Sequence, residues 1–118
     1  MALLAGTVRG AELKPYNGAG CAAVDDYFAD EVWAKVATES CVKCHKAGGD
    51  AEDSKLVLRD LSRTQGPARA EAMRLNREAF VRMAQVREGA RFRLLLKPTG
   101  QVKHGGKEAL KPDSTGYR

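Results

Sequence analysis

The sequence predicts an all-α domain with long loops, on three observations. Apolar residues recur at helical spacing in two stretches, one after Asp25 and one over residues 67–87. No strand or βαβ pattern is visible, and glycine and proline break up the intervals between the two stretches. At 118 residues the chain suits one domain with a modest core, and with 6% aromatic residues that core leans on Ala, Val and Leu.

Residues 1–24 are rich in Gly and Ala and show no sustained period, so they read as an irregular N-terminal segment. Met1-Ala2-Leu3-Leu4-Ala5-Gly6 is either the remnant of a signal core or a flexible lead-in; a basic head is missing and the apolar core is short. Residues 25–118 form the domain. Asp25 or Asp26 caps a first helix carrying Tyr27, Phe28, Val32, Trp33 and Val36, which runs into Cys41. Lys35 and Glu39 suit its solvent face. Ala47-Gly48-Gly49-Asp50 breaks the helix, and Leu56-Val57-Leu58 with Leu61 forms an extended piece or a single turn against the core. Thr64 or Gln65 caps a helix over residues 67–87, with Ala72, Leu75, Ala79, Met83 and Val86 inward and Gly89 as its stop. Phe92 and Leu94-Leu95-Leu96 form a second buried piece of one or two helical turns, and the rest reads as loop.

Twenty Lys and Arg against 15 Asp and Glu give a net charge of +5, but the cations are spread and no nucleic-acid signature accompanies them. No apolar stretch approaches the roughly 18–20 residues of a membrane helix.

The chemistry concentrates in Cys41-Val42-Lys43-Cys44-His45. Two thiols on one turn reach the two vinyl groups of a haem, and the histidine after the second is placed beneath the iron as its proximal ligand. One haem c is therefore the expected cofactor, with Cys41 and Cys44 as thioether residues and His45 on the metal. Its flat apolar ring would supply buried area that a core poor in aromatics lacks. A thioredoxin-like Cys-x-x-Cys would need a βαβ setting. A structural zinc module would recruit Cys21, Cys41, Cys44 and His104. Phe28, Val32 and Val36 would present an apolar face near the cofactor, with Trp33 beside it; ordinary core packing accounts for each alone.

For the second iron ligand the candidates are Met73, Met83 and His104. Met83 belongs to a helical stripe and Met73 falls off it. His104 lies in a loop whose glycines would let backbone approach a flat cofactor, so His104 is the expected distal ligand and Met83 the fallback. Two imidazoles set a lower potential than a His/Met pair, and a six-coordinate iron has no vacancy for substrate.

The attachment motif resembles that of class I c-type cytochromes. Leu94-Leu95-Leu96-Lys97-Pro98-Thr99-Gly100, His104-Gly105-Gly106, Lys111-Pro112-Asp113-Ser114 and Tyr117 are similar to haem domains of large secreted proteins of planctomycete-type bacteria. The resemblance covers Tyr27 to the C-terminus and implies a small class I cytochrome c-like fold with His104 as distal ligand. The glycine run after His104 is cut short by Lys107, and the closing helix of such folds is missing or trimmed. A trimmed fold, or a partner subunit covering Phe28 and Trp33, would account for that.

The function expected is electron transfer outside the cytoplasm of a bacterium, as a carrier or as a relay subunit of a larger redox complex, and not an enzyme. A redox protein is the implied partner, and Lys43 and Lys46 are candidates for docking it. The alternatives are a haem enzyme or gas sensor with an open iron position, and the zinc module. Cys21 is left over, for a lipid anchor, an intermolecular disulfide or a buried thiol.

Overall fold

The computed structural model describes residues 25–118. The irregular N-terminal segment and Cys21 lie outside the described residues. A π-helix (Phe28–Cys41) is followed by a looped segment, helix α1 (Gly66–Ala84), strands β1 (Arg87–Glu88) and β2 (Arg91–Phe92), and the short helix α2 (Arg93–Leu96). The two strands pair antiparallel, Arg87 with Phe92 and Glu88 with Arg91. The expected all-α, class I cytochrome c-like class is corrected accordingly: the domain is mixed, with 41% helix and a two-stranded sheet. The ribbon was illegible because each strand has two residues, too few for any alternation to register.

The first helix begins where Asp25 accepts a hydrogen bond from the Phe28 N–H through its side chain, at 3.0 Å. The same carboxylate meets Arg77 of α1 at 2.6 Å. Its winding is wider than α: the Val42 N–H reaches the Ala37 carbonyl at 2.8 Å, five residues back. Buried positions fall at Phe28, Trp33, Val36 and Ala37, with Val42 just past the helix end. Lys35 pairs with Glu31 at 2.7 Å rather than with Glu39, the Glu-before-Lys order that a helix favours.

Helix α1 starts at Gly66, in a left-handed conformation with φ +55°, and has Pro67 in its first turn, where the missing N–H costs nothing. It ends at Ala84, before Gly89, which instead turns the ribbon with φ +62°. Its buried face is Ala72, Asn76, Ala79, Phe80 and Met83. Phe80 meets Phe28 edge to face with ring centroids 5.6 Å apart. Leu56, Leu58 and Leu61 are buried while Val57 is exposed, so this segment is extended and half-buried. Two further expectations change. Phe92 is exposed and lies under the Arg87 guanidinium, 4.4 Å from its ring centre. Phe28 and Trp33 are already covered, at 6% and 4% exposure, so neither presents a face for a partner subunit. Among the described residues no helix is long and apolar enough to cross a membrane.

Candidate functional site

The Cys41-x-x-Cys44-His45 segment follows the π-helix as a tight turn. The Cys41 carbonyl accepts hydrogen bonds from both the Cys44 and His45 N–H groups, at 3.2 and 3.0 Å. Both cysteines are free thiols. Burial pushes the Cys41 thiol up to about 11. Gly49 lies against the back of this turn. A Cβ there would sit 2.3 Å from the Cys44 carbonyl oxygen, so only glycine fits, and the Ala51 N–H closes on that same oxygen at 3.0 Å.

His45 is held by the extended segment beside it. Its Nδ1 lies 2.8 Å from the Leu56 carbonyl oxygen and 3.1 Å from Ser54 Oγ, and the Leu58 N–H donates to the His45 carbonyl at 2.7 Å. A carbonyl only accepts, so Nδ1 carries the proton and Nε2 is left with its lone pair. Asn76 anchors that segment from α1. Its side chain accepts from the Arg59 N–H at 2.7 Å and donates to the Arg59 carbonyl at 2.9 Å.

His104 is held by the same device on a different loop. Its Nδ1 lies 2.9 Å from the Lys107 carbonyl oxygen, and the Lys107 N–H returns to the His104 carbonyl at 2.9 Å. Lys107 closes this turn in a left-handed conformation with φ 55°, the place where the expected glycine run stops. Gly106 packs against the ring: a Cβ there would lie 3.0 Å from His104 Cε1.

The two imidazoles face one another across a cleft, with ring centroids 6.1 Å apart and planes inclined by 12°. Two imidazoles sharing one metal at bond lengths of about 2 Å would have centroids about 6 Å apart, provided that both Nε2 atoms turn toward the metal. The cleft measures about 730 Å³ and is walled by Cys44, Leu56, Met83 and Leu94 as well as both histidines. That lies inside the roughly 300–1,000 Å³ range of cofactor sites. Lys55, Arg93, Lys97 and Lys103 line it against Asp50 and Asp53, a cationic excess suited to a ligand bearing carboxylates. The cleft thus offers a haem one thiol, Cys44, two imidazoles with Nε2 unprotonated, and sufficient volume, while the second thiol, Cys41, lines a neighbouring cavity.

Several expected contacts are elsewhere. Cys41, Val32 and Val36 line a second, smaller cavity, while Phe28 and Trp33 belong to the packed core. Met83 reaches the cleft from α1; Met73 packs, half-buried, beside the core. Lys46 is engaged with Asp60 at 2.8 Å. Of the zinc set, Cys21 lies outside the described residues, and among the described residues no three Cys, His, Asp or Glu side chains gather as a metal-ion site. The sequence reading did not anticipate Gly49, Ser54, the Leu56 carbonyl, Leu94 or Asn76. Gly48-Gly49 carried a signal, but one readable only as a helix break.

Comparison with protein-family models, with curated proteins and with solved structures finds no match.

Proposed function

We propose that this chain is a single-haem electron-transfer protein, working outside the cytoplasm as a carrier or as a relay subunit of a larger redox complex. Cys41 and Cys44 would hold the haem by thioethers, His45 would be the proximal iron ligand and His104 the distal one. The supporting observation is the pair of facing imidazoles, 6.1 Å apart, each with Nδ1 on a backbone carbonyl. Ligating histidines are oriented in this way, because the occupied nitrogen fixes both the tautomer and the ring plane.

Bound haem supplies reversible one-electron chemistry; the chain's part is to hold, orient and tune it. The Leu56 and Lys107 carbonyls draw on the Nδ1 protons and make both Nε2 atoms stronger donors. His104, as a second ligand, would leave no iron position open to substrate, which favours electron transfer over catalysis. Both histidines are half-exposed, so the cleft leaves a route by which a redox partner approaches closely.

The test is maturation of the full chain in a host competent for covalent haem attachment, followed by spectra in both redox states, with His104→Met alongside. The expected holoprotein keeps its pigment in acidified organic solvent and shows a bis-imidazole spectrum. The variant gains the weak red absorption of thioether–iron(III) bonding. A colourless product rejects the haem, prompt carbon monoxide binding rejects the closed iron, and a variant spectrum identical to the parent's rejects His104.

A further inference from the structure

The two cysteines of the attachment turn open onto different cavities. Cys44 and His45 line the cleft of about 730 Å³ that contains His104. Cys41 lines a separate cavity of about 360 Å³, with Val32, Val36 and Phe80. Among the described residues Leu94 alone belongs to both walls. It sits on α2, a helix of four residues, half-buried against the core. A rigid planar ligand joined to both sulfurs must touch both cavities at once, so this partition has to give way.

Building on the haem reading above, we infer that the two thioether links form in a fixed order, Cys44 first and Cys41 second, with Leu94 withdrawing between the two events. Each link is the addition of a thiol across a vinyl group of the haem. The S–H bond and the carbon–carbon π bond break; an S–C bond and a C–H bond form; nothing is oxidised or reduced. Cys44 shares its cleft with His45, so a haem taken up by that imidazole already lies beside the Cys44 sulfur, and the first addition has the advantage of proximity. Cys41 lines the other cavity, whose wall it shares with Leu94, and joining the two spaces by moving that side chain would expose buried apolar area. The short α2 makes that displacement local: it is tied by the Arg93 N–H to the Val86 carbonyl at 2.9 Å and by the Gln101 N–H to the Leu96 carbonyl at 3.0 Å.

The experiment uses the full haem-free chain with reduced cysteines, mixed anaerobically with ferrous haem and quenched in acid at intervals. Intact mass counts the links, and peptide mapping locates the sulfur modified in the one-link species. The expected result is a one-link species carried by Cys44 over Cys41 by about tenfold, the scale set by uncovering part of a leucine side chain. In Leu94→Ala the second link should follow the first without a lag, and the preference should fall to about threefold or less. Circular dichroism shows whether that variant keeps its helices; Leu94→Val replaces it otherwise, and the parent's map stands without either. An even split, or a one-link species at Cys41, overturns the order and leaves the haem reading intact. No acid-stable link in the parent, whether here or after maturation in a competent host, removes both.

Discussion

Cys41 pairs a reactive group with a setting that quiets it. Its thiol, ordinarily at 9.0, is held at about 11 by burial alone, so the folded haem-free chain keeps it protonated at neutral pH. The thiolate is the nucleophile toward iodoacetamide. Alkylation of Cys41 at pH 8 should therefore be slow in the folded chain and rise by about a hundredfold on unfolding, measured by mass mapping. The linkage has a sign. Between pH 9 and 11 the unfolded chain has lost a proton that the folded chain retains, so this contribution to stability is full below pH 9 and declines as pH approaches 11. A second residue, Gly49, holds its place by sterics. Gly49→Ala drives a Cβ into the Cys44 carbonyl, and a loss of about 1–3 kcal/mol is expected in urea melts of the haem-free chain.

Among the elements, α1 contributes Met83 to the cleft wall and braces the site through one polar side chain. Asn76 is 1% exposed and satisfies both backbone groups of Arg59, in the segment whose Leu56 carbonyl orients His45. Asn76→Ala leaves an N–H and a carbonyl unpaired and should cost about 2–4 kcal/mol, read from the urea midpoint, with broadening of the His45 Nδ1–H resonance. The same residue marks the limit of what the sequence disclosed. Helical period placed α1 to within a few residues, but its inward face was assigned to Leu75 rather than Asn76, because apolar period cannot register an amide buried to pair with a distant backbone. The first helix was legible as a helix and illegible in pitch. Its wider winding turns Val32 and Val36 toward the smaller cavity and away from the large cleft. Cys41-x-x-Cys44-His45 and His104 were legible because their chemistry depends on residue type and local spacing. The carbonyls that aim the two rings were not, since any residue supplies a carbonyl and only folding chooses which.

Across the whole molecule, the two halves of the site are braced unequally. The Leu56 carbonyl behind His45 belongs to a segment joined to the attachment turn by the Leu58 N–H and to α1 through Asn76. The Lys107 carbonyl behind His104 belongs to a turn of four residues closed mainly on itself. One ring is moored to the core and the other to a loop. Under rising guanidinium the mooring that spans less of the chain should slip first. With haem bound as proposed, a His104–iron bond would be expected to open at a lower denaturant concentration than the helices melt, seen as a high-spin absorption change ahead of the far-ultraviolet transition. Coincident transitions would mean that the loop and the core let go together, and that the domain fails as a single unit rather than from its distal edge inward.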